Sequence, residues 1–265
     1  MKIIKQLPTG NRDSMKSLTY ELESIIYSTV KESYPASWKQ EEITRSLFSG
    51  MKTLFQGKTI HTPGDTIKTG WRLYQRKNVS DDIFGEIAIV IQVTYHDGQM
   101  VRGVVFHDVA EKDGGKNSFS SLHKNNFRRL LSLSHHSQIL LYDYDTITGM
   151  AFPSTAESII GNQPHNWNSW IPYTHAVTVP ANLALSLDIK TTGLYKVSLP
   201  LSYQISYRYL YGLDLDYSVP ALETAAGIKT VKGNPRFLIC VAVSHGGAEP
   251  TMDFDVNTKM YSSFE

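Results

Sequence analysis

The sequence predicts a single α/β domain with a mixed, largely buried β-sheet flanked by helices. Three observations carry this prediction. Two stretches near the N-terminus have amphipathic-helix spacing. Two neighbouring runs, Ile87 to Thr94 and Val101 to Phe106, are rich in β-branched residues and apolar on both faces, as central strands are. Further strand-like runs, Ile139 to Tyr144 and Phe237 to Val243, follow a third helical stretch. At 265 residues the chain is long enough to bury a large core. No repeat and no Ser/Gly/Pro-rich linker divides it, so 1–265 is read as one domain.

Each element has its own justification. Between Ser17 and Tyr34 the apolar residues Leu18, Leu22, Ile25, Ile26 and Val30 recur at helical spacing, and Pro35 ends the run. Ser37 is placed to cap a second helix, with Gln40 at the capping-box position and Ile43, Leu47, Met51, Leu54 and Phe55 on the buried side. From Gly57 to Val79 the chain is polar and punctuated by Gly and Pro, which reads as a connecting loop or a small irregular hairpin. His96-Asp97-Gly98 fits a three-residue hairpin turn that ends in a left-handed glycine. After a turn at Asp113 to Asn117, a third helix is expected with Phe119, Leu122, Phe127 and Leu130 inward. Its outward residues are His123, Lys124, Arg128 and Arg129.

The signal weakens over 150–196, where an inserted or lid segment and a packed irregular layer are both compatible with the sequence. The tyrosines at 203, 207, 209 and 211 read as an aromatic core stripe rather than a base-stacking platform. The tail after His245 reads as loosely ordered.

Composition narrows the function classes. Lys and Arg number 26 against 25 Asp and Glu, so any nucleic-acid surface must be local rather than global. The single cysteine, Cys240, lies in an apolar run and reads as a buried, inert thiol; one cysteine cannot form an intrachain disulfide. No uninterrupted apolar stretch is long enough to span a bilayer and no signal-peptide core is present, so no membrane partner and a cytoplasmic location are expected. His135-His136 lacks further ligands at metal spacing, Gly246-Gly247 is not followed by a phosphate-loop Lys, and Gly-x-Ser-x-Gly is absent.

The candidate chemistry lies between Asp82 and Lys112. If Tyr95 pairs with Gln99, Glu86 lies opposite Asp108 and Asp82 opposite Lys112. With alternating side chains, all four then share one face. A two-residue Asp-Gly turn would shift the register and separate Glu86 from Asp108. Acids gathered at a sheet edge beside a lysine suit Mg²⁺ or Mn²⁺, which take carboxylate oxygens, retain waters and stabilise charge developing on a phosphate. Each residue also has a plainer reading: Asp82 as a turn cap after Ser80-Asp81, Asp108 and Lys112 as a strand-end ion pair, Glu41 and Glu42 as first-turn acids favoured by the helix dipole.

From Ser37 to Tyr144 the chain resembles the PD-(D/E)xK nuclease superfamily, of restriction-endonuclease-like fold. The resemblance rests on a helix carrying Glu41 and Glu42, a strand opening at Asp82, the hairpin, an acid at Asp108, then a helix and a strand. It implies that Asp82 and Asp108 hold Mg²⁺ or Mn²⁺, that Glu86 and Glu41 assist, and that the reaction is DNA phosphodiester hydrolysis in a bacterial genome-defence setting. Ala110 stands where the family has lysine. Lys112, Lys116 or Lys124 is then expected to substitute, with Lys112 positioning the water. The departure equally allows a catalytically inactive nuclease-fold subunit that binds nucleic acid or assembles a defence complex. Nucleic-acid binding is expected at Lys124, Arg128 and Arg129.

Overall fold

Hydrophobic patterning and strand pairing agree at the centre of the molecule. In the computed structural model, which describes residues 15–77, 86–150, 173–187, 190–229 and 234–264, the two predicted central strands form β3 (Ile87–Thr94) and β4 (Met100–Glu111). They pair antiparallel from Ile87 opposite His107 to Thr94 opposite Met100. The Tyr95 N–H donates to the Gln99 carbonyl at 2.9 Å, so the turn is the three-residue one. Gly98 sits at φ 80°, a conformation that a side chain would strain, and this fixes the register.

Around this hairpin lie β1 (Thr59–Thr62), β2 (Asp65–Arg76), β5 (Gln138–Ile147), β6 (Thr174–Pro180), β7 (Leu199–Pro200), β8 (Phe237–Ser244) and β9 (Tyr261–Ser263). The sheet order is β1-β2-β8-β3-β4-β5-β6-β7, and β9 pairs with β2. β8 runs parallel to β3 and antiparallel to β2, while β5 runs parallel to β4. The sheet is therefore mixed, and its helices cover both faces.

The odd-numbered residues of β3 (Ile87, Ile89, Ile91 and Val93) pack in one core with α1 (Met15–Thr29) and α2 (Gln40–Phe55). On the opposite face Ala88, Val90, Val104 and Phe106 meet Leu130 of α3 (Lys124–Leu133). Ala110 lies in a further cluster on that side, with Phe119 and Phe127. Stripes on both faces explain why these strands are apolar throughout.

Several expectations need correction. α2 begins at Gln40, with Lys39 extended before it and no side-chain cap, so Ser37 does not cap this helix and Gln40 is left for other partners. Of the Gly57–Val79 stretch, the described residues 57–77 form a regular hairpin, with β2 twelve residues long. Phe119 and Leu122 are buried as expected but precede α3. Of the supposed inserted segment, 151–172 lies outside the described residues. The part that follows it supplies β6 and α4 (Ala181–Leu187) to the sheet and its core. The tyrosine-rich stretch is helical, Leu201–Tyr203 passing into a π-turn, Gln204–Arg208, and a 3-10 turn, Tyr209–Tyr211, and its tyrosines pack in or against the core as expected. The tail returns to the sheet, where the buried Tyr261 donates to the Pro235 carbonyl at 3.0 Å. A last helix, α5 (Val219–Ala225), packs over Ala88 and Phe106.

Candidate functional site

The acids converge at the end of the sheet where β3 begins. The Glu86 N–H donates to His107 at 2.9 Å and the Phe237 N–H donates to Glu86 at 2.9 Å, so Glu86 stitches β3 to both neighbours. Extending the register places Glu86 opposite Asp108 along the backbone. The side chains, however, take different partners. Arg236, just before β8, sets its Nε 3.1 Å from Glu86 Oε2 and pairs through Nη1 with Glu41 of α2. Glu41 also accepts from Arg45, one helical turn on, at 3.1 Å. The Gln40 amide nitrogen lies 3.4 Å from Glu86 Oε1. Turned over, that amide donates to Glu111 Oε2 at 3.2 Å and to the Val109 carbonyl at 2.8 Å. At the N-terminus of α2, Glu41 and Glu86 therefore share the Arg236 guanidinium, and the Gln40 amide faces Glu86 in one orientation and Glu111 in the other.

Electrostatics marks the cluster as short of positive charge. Burial pushes the Glu86 carboxyl up to about 7; Arg236 opposes the rise, and the charges of Asp108, Glu41 and Glu111 reinforce it. Asp108 is pushed up to about 6 by burial, against hydrogen bonds from the Val109 N–H and from Asn126 of α3. Burial, with Asp113 nearby, also raises Glu111.

The expected sharing of one face by Asp82, Glu86, Asp108 and Lys112 is not what the described residues show. Asp82 lies outside them. Asp108 meets Asn126 on the α3 side, whereas Glu86 meets Gln40 and Arg236. Glu86 precedes β3, so its side chain follows its charge partners rather than the strand alternation. Lys112 follows the end of β4, and its Nζ sits 3.1 Å from Asp143 Oδ1 and 2.8 Å from Asp145 Oδ2 of β5. Burial opposes its charge, but these carboxylates outweigh that and hold its pKa above the ordinary lysine value. Lys112 therefore pairs with acids of β5 and not, as the strand-end reading expected, with Asp108. Ala110 is fully buried among Phe119 and Phe127, so a lysine there would enter an apolar core. On α3, Arg128 is exposed, and Lys124 and Arg129 are half-buried.

Arg236 and Gln40 were not visible as site residues in the sequence. Arg236 lies 150 positions from Glu86 and reaches it only because β8 inserts beside β3. A second polar cluster, also missed, occupies the other end of the sheet. Asp65, at the start of β2, holds its Oδ2 2.6 Å from His245 Nδ1 and its Oδ1 3.1 Å from His96 Nε2. Burial raises the Asp65 carboxyl, but the hydrogen bonds from His245 and the Gly246 N–H outweigh it and hold the group below the ordinary carboxylate range.

Comparison with protein-family models, curated proteins and solved structures finds no match to this chain. Among the described residues no helix is long and apolar enough to cross a membrane.

Proposed function

We propose that this chain is a metal-dependent nuclease of restriction-endonuclease-like type that hydrolyses DNA phosphodiester bonds with Mg²⁺ or Mn²⁺ and serves in bacterial genome defence. The observation that carries the reading is the acid cluster around Glu86: Arg236 pairs with Glu86 and Glu41, while burial raises the carboxyls of Glu86, Asp108 and Glu111. A divalent ion with oxygen ligands would relieve that imbalance. Glu86, Glu111 and Glu41 are the described groups nearest such an ion, and Asp108 and Asp82 complete the proposed set. The order of α2, β3–β4, α3 and the parallel strand β5, with the β1–β2 hairpin between α2 and β3, also supports the resemblance. The ion would activate a water for in-line attack on the phosphorus and stabilise the leaving oxygen. Lys112 is tied to Asp143 and Asp145, so this reading gives the cationic role to Arg236 instead. Lys124, Arg128 and Arg129 would carry the nucleic acid.

One observation favours a second reading, a nuclease-fold subunit without cleavage that binds nucleic acid or assembles a complex. Arg236 already bridges Glu41 and Glu86, and Ala110 stands where a lysine is expected. Incubating the chain with DNA or RNA and Mg²⁺ or Mn²⁺ decides between them. The nuclease reading expects ion-dependent cleavage that falls about 100-fold or more in Glu86→Gln, while binding to uncut DNA persists. No cleavage of either nucleic acid by the wild type, with salt-sensitive binding retained, would leave the scaffold reading in its place.

A further inference from the structure

We infer that Asp65, His96 and His245 form a binding site for a transition-metal ion of the Zn²⁺ class, with a coordination position left open to solvent. The site is independent of the acid cluster, because β3 runs its full length between Glu86 and His96. Topology brings the three residues together. Asp65 opens β2, His96 lies in the β3–β4 turn and His245 directly follows β8; with β2 antiparallel and β3 parallel to β8, all three reach the same end of the sheet. One donor atom from each lies within 4.8 Å of the other two.

The donor chemistry is selective. Two imidazoles and one carboxylate suit zinc and its neighbours rather than Mg²⁺, which takes oxygen ligands. Ligand atoms at about 2.0–2.1 Å from a tetrahedral ion stand about 3.3 Å apart. The three donor atoms, all within 4.8 Å of one another, lie close to the spacing such an ion needs.

The surroundings read as a built site rather than a chance surface contact. His245 is buried, flanked by the Tyr95 ring at 5.7 Å and the Tyr211 ring at 5.5 Å between centroids. Its Nε2 is buried without a hydrogen-bond partner, so that nitrogen can take the ring proton when an ion replaces the Asp65 hydrogen bond at Nδ1. The Gly246 N–H holds Asp65 Oδ1 at 3.0 Å. Gly246 sits at φ 85°, and a Cβ on it would lie 2.9 Å from His96 Nδ1, so the glycine is what lets His96 approach. His96 itself is 59 % exposed, so an ion held by these three ligands keeps its fourth position toward water. Three protein ligands with an open place is the arrangement of reactive rather than closed structural zinc.

Titration calorimetry of the full chain with Zn²⁺, Co²⁺ and Mg²⁺ tests this. One equivalent of Zn²⁺ and of Co²⁺ is expected to bind, with no measurable Mg²⁺ binding at this end of the sheet. The affinity for Zn²⁺ should fall about tenfold or more in His96→Ala and in Gly246→Ala. Both are changes at the solvent side, and circular dichroism checks that each variant folds. Glu86→Gln should leave Zn²⁺ affinity unchanged. No Zn²⁺ binding by the wild type, affinity unaltered in both His96→Ala and Gly246→Ala, or loss of Zn²⁺ in Glu86→Gln would each overturn the site.

Discussion

Glu86 shows how much one residue's environment decides. A glutamate in a strand-like run is an anomaly that the sequence exposes, because a carboxylate between apolar neighbours needs a partner. The partner was not legible. Arg236 follows 230–233, which lie outside the described residues, and nothing local ties it to Glu86. The consequence is a pH dependence of a definite sign. The ordinary carboxyl value is 4.5, and the folded value is raised to about 7. Below the ordinary value the group is neutral in both states and contributes no difference. Between the ordinary value and 7 the unfolded chain ionises while the folded one keeps its proton, so stability is lost over that window, reaching on the order of 3 kcal/mol once Glu86 is ionised in both states above 7. Asp108, raised from 3.8 to about 6, acts in the same direction over a lower range. Glu86→Gln is therefore expected to change urea stability little at pH 5 and to stabilise the metal-free protein at pH 8. Equal effects at the two pH values would show that Arg236 compensates the charge fully.

At the scale of elements, the β3–β4 hairpin was the most legible part of the chain and the β4–β5 junction the least. The hairpin register follows from local turn chemistry and an apolar period, both written in consecutive residues. The partner of Lys112 depends on β5 lying parallel to β4, a pairing across a helical crossover. There the Lys112 N–H donates to the Tyr142 carbonyl at 3.0 Å, which brings the flanking Asp143 and Asp145 to its ammonium group. Asp143 is almost fully buried and also accepts from the Tyr195 hydroxyl at 2.6 Å. Removing the lysine alone leaves a buried carboxylate unpaired, so Lys112→Met is expected to cost about 3–5 kcal/mol in denaturant unfolding. Adding Asp143→Asn should recover most of that loss. A Lys112→Met protein as stable as wild type would mean that the pair is not a structural tie.

At the scale of the whole molecule, the chain's last residues close what its middle begins. β9 pairs with β2, and Tyr261 fills the face that Ala88, Phe106 and Cys240 share. Tyr261→Ala is expected to lower stability by about 3–5 kcal/mol, the usual cost of deleting a buried aromatic ring. A loss under about 1 kcal/mol, in the range of a surface change, would restore the view of the tail as loose. What the sequence by itself determined was local: the helical stripes of α1 and α2, the central strands, the turn at Gly98 and the inert burial of Cys240. These depend on periodicity, turn geometry and hydrophobicity, which act over a few residues. Which charges meet was decided by tertiary structure alone. Glu86 with Arg236, Lys112 with Asp143, and Asp65 with His96 and His245 are joined by strand order, and strand order follows from burying every apolar face at once rather than from any one segment.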